Sequence, residues 1–368
     1  MPFERPYSPS PHKLSIFWGN NSINAYTAIA HHAVLAVPPG LEAFGISTAR
    51  REYGLKFKIL ARGFIQSKDT SEAKGVANIL DNAPLWTFGS YRLVGQFKKL
   101  DQDATAILTQ RLRETVNGTQ WGGRSYWLDS PDKRQDELAR WARSFMKIDF
   151  GLINNPSNYS IALKFCQDGA ATYALLGKSI SVRERFAYRR SDVGASINPV
   201  LAACLARMMP AKLDGMAIDP TCGSGTLLFE RLRYSQEQGG LGIDVSKVAQ
   251  EAFTENLRDA GLGGRDVRFQ LGSSIDAKHW QSCSSVTANL PFGIRVREKP
   301  GALDEMYRAI LGNAQSNLAD DGRILLTSSY RRGLEGAAHD WRDQLKLLSR
   351  YRAEMGGLHY QIFVFGRR

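Results

Sequence analysis

Between residues 216 and 328, short apolar runs alternate with helix-length amphipathic stretches, and the first two runs each end in an aspartate, in "MAIDPTCGSGTLLFERLRY" and "LGIDVSKVAQEAFTENLRD". No other feature limits the possible folds as much. Neighbouring parallel strands cannot be joined by a tight turn, so they need crossover helices, and strands covered on both faces read as short continuous apolar runs. "DVRFQL", "SSVTAN" and "GRILLTSS" continue the series as third, fourth and fifth strands, with "LDEMYRAILGNAQSNL" as the helix before the fifth. "YRAEMGGLHYQIFVFGRR" reads as a final antiparallel hairpin turning at Gly356 and Gly357. The expectation for residues 197–368 is α/β: a Rossmann-like, mostly parallel sheet closed by an antiparallel hairpin.

The ends of these strands carry the chemistry. After Asp219 comes "PTCGSGT", where glycines let a backbone approach a ligand closely and a following helix presents unpaired N–H groups. No lysine follows as in a Walker loop, and the spacing is not G-x-G-x-x-G, so a nucleoside triphosphate is disfavoured. Asp244 ends the second strand, where an acid accepts hydrogen bonds from a ribose. Together the two features point to an adenosine-containing cofactor. The fourth strand ends in "TANLPFGIR", with an amide, a proline, an aromatic ring and a glycine in close succession, Asn289, Pro291, Phe292 and Gly293.

With "DPTCGSGT", "GID" and "NLPFG" in this order, residues 190–368 resemble the class I S-adenosylmethionine-dependent methyltransferases that act on amino or amide nitrogens. The chain from about residue 30 resembles the THUMP-containing tRNA guanine-N2 methyltransferases. The "VPPGLE" stretch, Val37–Glu42, is similar to that family's N-terminal Pro-Gly-Leu-Glu segment. "IDFGLINNPSNYSIAL" is similar to the end of a THUMP domain: a strand Ile148-Asp149-Phe150, a turn through Asn155 and Pro156, and an alternating strand with Tyr159, Ile161 and Leu163. The resemblance implies S-adenosylmethionine as cofactor, no metal, and a tRNA substrate methylated on guanosine N2 in the acceptor stem at position 6, or at position 10 in a related branch. It implies that Asp219, Cys222, Gly223 and Gly225 hold the methionine portion with Thr226 capping nearby, and that Asp244 holds the ribose. Asn289, Leu290, Pro291 and Phe292 become the catalytic segment: the Asn289 side chain and a carbonyl near Leu290 accept the amine, and Phe292 stacks on the base.

Two residues depart from the family pattern. Leu290 stands where the motif's first proline is expected. "GSS" stands where the third strand usually ends in an adenine-binding Asp, leaving Ser273 or Ser274 nearest and Asp276 displaced.

Charge supports a polyanionic partner. Residues 1–190 carry 26 Lys/Arg against 16 Asp/Glu, whereas residues 191–368 carry 22 against 20. The run from Arg183 to Arg190 either contacts phosphate or is a solvated linker face, Arg295 follows the catalytic segment, and Trp121 and Arg124 sit in a "WGGR" loop. His31 and His32 are adjacent and read as structural. The four cysteines are widely spaced and read as buried free thiols.

The expected organisation is a tail over 1–13, an α+β ferredoxin-like domain over 14–95 in which strands alternate with one helix, and a THUMP-like RNA-binding domain over 96–180. A basic linker over 181–196 then leads to the methyltransferase domain at 197–368. A cytoplasmic monomer is expected, with no membrane segment. Competing readings are methylation of rRNA guanine, adenine N6 or protein glutamine, and a non-catalytic tRNA-binding protein on a degenerate methyltransferase fold.

Overall fold

The computed structural model describes residues 32–68, 73–98, 100–117, 125–130, 137–178, 182–194, 196–293 and 301–368. The tail, His31, Trp121, Arg124 and Arg295 lie outside the described residues. Two compact units emerge: the described residues of 1–36, 46–84 and 89–180 form one, and those of 37–45, 85–88 and 181–368 the other.

In the first unit an eight-stranded mixed sheet has the order β2-β3-β1-β4-β8-β7-β5-β6. Its strands are β1 (Ala33–Ala36), β2 (Phe57–Ala61), β3 (Phe64–Ser67), β4 (Gly89–Phe97), β5 (Ser125–Asp129), β6 (Ile153–Asn154), β7 (Ile161–Asp168) and β8 (Ala171–Lys178). Helices α2 (Ala73–Asp81), α3 (Gln102–Asn117) and α4 (Glu137–Phe150) accompany them, and α1 (Glu42–Tyr53) is divided between the two units after Gly45. The antiparallel pairing of β4 with β8, Arg92 opposite Leu176, makes the sheet continuous. One of its cores gathers Leu108, Leu112, Leu138, Met146, Leu163 and Leu176.

Two expectations for this unit are corrected. The described residues of 33–97 hold two helices rather than one, because Leu41, Phe44, Thr48 and Ala49, and again Val76, Ile79 and Leu80, recur at helical spacing and are buried. Ile148-Asp149-Phe150 is not a strand but the last turn of α4. Phe150 packs edge-on against Phe145 with centroids 5.4 Å apart, and Asp149 pairs with Arg113. Gly151, at φ 64°, then ends the helix: its N–H donates to the Lys147 carbonyl, and that of Leu152 reaches back to Met146, each at 3.0 Å. The Asn-Pro turn is as expected, with the Asn155 side chain accepting from the Ser157 and Asn158 amides at 3.1 and 3.2 Å.

The second unit is the doubly wound sheet that the alternation predicts, with the order β11-β10-β9-β12-β13-β15-β14. Its strands are β9 (Met216–Asp219), β10 (Gly239–Asp244), β11 (Asp266–Leu271), β12 (Cys283–Asn289), β13 (Leu318–Ser328), β14 (Leu345–Met355) and β15 (Leu358–Arg367). The helices are α5 (Val182–Arg185), α6 (Pro199–Arg207), α7 (Thr226–Tyr234), α8 (Lys247–Asp259), α9 (Ala302–Asn317) and α10 (Arg331–Asp340). The first five strands are parallel, and β15 and β14 run antiparallel, turning at Gly356 and Gly357 with φ 57° and 79°, as a tight hairpin requires. Asn198 caps α6, its side chain accepting the Val200 amide at 2.9 Å with Pro199 in the first turn.

Two further features shape this unit. The Pro-Gly-Leu-Glu segment lies against the edge strand β14: the Glu354 amide donates to the Pro39 carbonyl at 2.9 Å, and a Cβ on Gly40 would sit 2.5 Å from the Arg352 carbonyl oxygen. Opposite the chemistry-bearing strand ends, Arg231 and Glu237 form an ion pair with both side chains at 0% exposure. Glu237 also accepts from the hydroxyls of Ser235, Ser284 and Ser285, and the Arg231 guanidinium donates to the Ala206 and Pro210 carbonyls, so every guanidinium nitrogen and both carboxylate oxygens have a hydrogen-bond partner. Among the described residues, no helix is long and apolar enough to cross a membrane.

Candidate active site

The strand order reverses between β9 and β12, because β10 and β11 lie on one side of β9 and the later strands on the other. Crevices outside the carboxyl ends of strands at such a switch point are where doubly wound sheets bind ligands. Asp219, Asp244 and Asn289 each end one of the strands around it.

From β9 the chain turns through "PTCGSG" into α7. Asp219 is 2% exposed, and its carboxylate accepts the Thr221 amide at 3.1 Å. Burial pushes its carboxyl up to about 8, the Thr221 amide opposing the rise and the charge of Asp244 adding to it. Gly223, at φ 50°, donates its amide to the Asp244 carboxylate at 3.0 Å, and the other oxygen of that carboxylate takes the Ser246 amide at 3.0 Å. Asp244 therefore organises the loop and keeps further lone pairs for a diol. Gly225 begins α7 at φ 85°, where a Cβ would lie 2.5 Å from the Phe229 ring. Only glycine meets both conditions. Cys222 is buried with its sulfur against Gly242, so it fills the turn, and burial raises its thiol well above the ordinary range.

Sequence reading missed the clasp around this loop. Asn256 on α8 is fully buried; its side-chain oxygen accepts the Arg190 and Ser191 amides at 2.9 and 3.0 Å, and its NH2 donates to the Ser191 and Ser224 carbonyls at 2.8 and 3.0 Å. Arg189 donates to the Thr226 hydroxyl at 3.0 Å and pairs with Asp192 at 2.7 Å. The basic run thus includes one residue that holds the glycine loop. A signal was available: Ala249, Ala252, Phe253 and Asn256 lie on one helical stripe and are all buried.

At the end of β11 the turn is rigid. The Ser274 carbonyl accepts from the Trp280 indole at 2.8 Å and from Asn313 at 3.0 Å. Ser273 is half-buried, its hydroxyl near the Ile275 amide at 3.4 Å. Asp276 is committed elsewhere: it pairs with Lys278 at 2.6 Å, and that hydrogen bond holds its carboxyl below the usual range.

At the end of β12 three successive residues are fixed by three different elements. The Asn289 carbonyl accepts from the Thr221 hydroxyl at 3.3 Å, the Leu290 amide donates to the Thr327 carbonyl at 2.8 Å, and the Pro291 carbonyl accepts from the Tyr307 hydroxyl at 2.6 Å. Leu290 is 0% exposed and packs with Ile218, Ile243 and Val286. Where a proline would stiffen the turn, this chain uses an amide hydrogen bond and an apolar anchor. Phe292 is half-buried and meets Tyr360 edge-on, with centroids 6.4 Å apart. The Asn289 side-chain oxygen is buried and has no hydrogen-bond partner among the described residues. Such an atom costs about 1–3 kcal/mol until a donor from a ligand or water satisfies it.

Residues 187–361 match the family model described as UPF0020: RMKL-like, methyltransferase domain. A tRNA (guanine(10)-N2)-dimethyltransferase of Methanothermobacter thermautotrophicus is 28% identical over 140 residues, which cover 38% of this chain and 40% of that protein. A U6 snRNA (guanine-N(2))-methyltransferase of Bos taurus is 26% identical over 166 residues, covering 45% of this chain and 32% of that protein. The chain thus spans less than half the length of these curated relatives. The crystal structure of TrmN from Thermus thermophilus shares the fold at a TM-score of 0.71 and 17% identity, over 92% of this chain and all of that one. Residues 187–361 thus match a methyltransferase-domain family model, and the chain has the class I methyltransferase fold of that solved structure.

Proposed function

We propose that this protein transfers a methyl group from S-adenosylmethionine to the exocyclic N2 amine of a guanosine in RNA, with tRNA as the substrate. The buried Asn289 side-chain oxygen carries this reading, because it has no donor among the described residues and lies at the switch point of the sheet. The residues of the β9–α7 turn fit the cofactor: a glycine loop with two left-handed positions, a buried carboxyl at Asp219 and a hydrogen-bonded carboxylate at Asp244. Asp219, Gly223 and Gly225 would hold the methionine portion, Asp244 the ribose and Ser273 the adenine edge. When bound, S-adenosylmethionine supplies a methyl group made electrophilic by its sulfonium.

The chain's own residues prepare the amine. An aromatic amine is a poor nucleophile because its lone pair is delocalised into the ring. Two fixed acceptors on its N–H groups turn that lone pair out of the ring plane and direct it. Asn289 supplies one acceptor and a main-chain carbonyl of the next residues the other, so no strong base is needed before transfer. Phe292 offers its face to the base, a contact contributing roughly 1–3 kcal/mol. Flipping a paired guanine costs a few kcal/mol, which binding of RNA by the basic first half offsets. That excess of positive charge, and the RNA substrates named for both curated relatives, support RNA over a protein or DNA acceptor.

The test is a labelling experiment. The protein is incubated with methyl-labelled S-adenosylmethionine and, separately, unmodified tRNA, U6 snRNA, DNA and total protein, and the products are digested to nucleosides and amino acids. Label in N2-methylguanosine from tRNA is expected, and mapping that nucleotide tests the acceptor-stem reading at position 6. Label confined to N6-methyladenosine or methylglutamine contradicts the proposal.

A further inference from the structure

Tyr307 on α9 lies outside every motif, yet its hydroxyl reaches the catalytic segment. It is 0% exposed, 2.6 Å from the Pro291 carbonyl oxygen and 2.5 Å from the Ser328 hydroxyl. Proton counting fixes the direction of both bonds. Tyr307 has one hydroxyl proton, and the Pro291 carbonyl can only accept, so that proton goes to Pro291. Ser328 must then donate to Tyr307, and it in turn accepts the Tyr330 amide at 3.0 Å. The result is a one-way chain from Tyr330 through Ser328 and Tyr307 to Pro291, and burial keeps the Tyr307 phenol protonated by raising it well above its ordinary value.

This chain has a consequence for the neighbouring carbonyls. Thr221 takes the Asn289 carbonyl and Tyr307 takes that of Pro291, while the Leu290 carbonyl between them accepts no hydrogen bond from a described residue. We infer that Tyr307 is a positioning residue which, with Thr221, occupies the two flanking carbonyls and leaves the Leu290 carbonyl as the second acceptor for the substrate amine, opposite the Asn289 side chain. The inference rests on the amine-methylating reading of the site. It assigns to a phenol on a distant helix the orientation of a main-chain group that no substitution can remove.

Tyr307→Phe keeps the ring in its core and removes only the hydroxyl. With unmodified tRNA as acceptor, kcat should fall about ten-fold, equivalent to ~1.4 kcal/mol, while the Kd for S-adenosylmethionine stays within about two-fold. Amide exchange in peptides covering residues 286–293 should accelerate in the free protein. Ser328→Ala, which leaves the phenol in place but removes its donor, should give a smaller fall in kcat, and it decides the matter if Tyr307→Phe does not fold. Unchanged kcat and unchanged exchange in the folded variant overturn the inference, as does an equal loss of cofactor binding, which would mark a merely structural role. If the wild-type protein methylates no guanine, the functional reading fails, and amide exchange alone decides whether Tyr307 holds the segment.

Discussion

The Gly223 amide donates to the Asp244 carboxylate at 3.0 Å, so the loop after the first strand of the methyltransferase sheet and the tip of the second form one hydrogen-bonded unit. Removing the carboxylate should disorganise the loop and remove the ribose acceptor together. Asp244→Ala is expected to weaken S-adenosylmethionine binding by about 100-fold or more, read by calorimetry, because two amides lose a charged acceptor. Asp244→Asn keeps one acceptor oxygen and should lose less.

Asp219 predicts a pH dependence. Its carboxyl is lifted by burial from 3.8 to about 8, so across that window the folded protein holds a proton that the unfolded chain has released. Its contribution to stability is therefore complete below the unfolded value and is lost as pH rises toward about 8. Asp219→Asn should flatten that slope in thermal unfolding measured across the window. If the carboxylate meets the cofactor's ammonium, binding near neutral pH must expel the proton. Calorimetry in buffers of different ionisation enthalpy should show proton release in the wild type and none in Asp219→Asn.

Asn256 binds the Arg190–Ser191 backbone to the glycine loop through four hydrogen bonds, all within 3.0 Å. Asn256→Ala leaves those backbone groups without partners and should destabilise the unit by about 2–4 kcal/mol in denaturant unfolding. It should also raise the Kd for S-adenosylmethionine, even though Asn256 itself is held by protein groups. Asn256→Asp, which cannot donate to the Ser191 and Ser224 carbonyls, should behave more like the alanine variant than like the wild type.

The Arg231–Glu237 pair makes the opposite kind of prediction, one for stability alone. Glu237→Ala leaves a guanidinium at 0% exposure without its counter-charge and strands the hydroxyls of Ser235 and Ser285, so a loss of about 3–5 kcal/mol is expected in chemical unfolding. Replacing both members with apolar residues of similar volume should recover much of it.

How legible these arrangements were follows from how local they are. The order and type of the strands from β9 to β15 could be read because each strand is a short apolar run and each turn has its glycines or cap close in sequence. The placement of Asp219, Asp244 and Asn289 at strand ends followed from the same pattern. Ile148–Phe150 misled because three residues of mixed polarity fit the end of a helix as well as a strand, and the packing of Phe150 on Phe145 decided between them. Thr327 and Tyr307 were not legible as site residues, since each acts on a segment far from it in sequence and only the folded sheet brings them together, while Asn256 showed only as a polar residue on an apolar helical stripe. Leu290, where the family pattern has a proline, sits in a fixed turn: its amide bonds to Thr327 and its side chain lies in the core.

The most direct test of the account is Asn289→Ala, assayed for methyl transfer to unmodified tRNA and, separately, for S-adenosylmethionine binding. The buried oxygen, without a partner among the described residues, is assigned to the substrate amine, so transfer should fall by about 100-fold or more while the cofactor Kd stays within about three-fold of the wild type. Normal turnover by this variant would contradict the account.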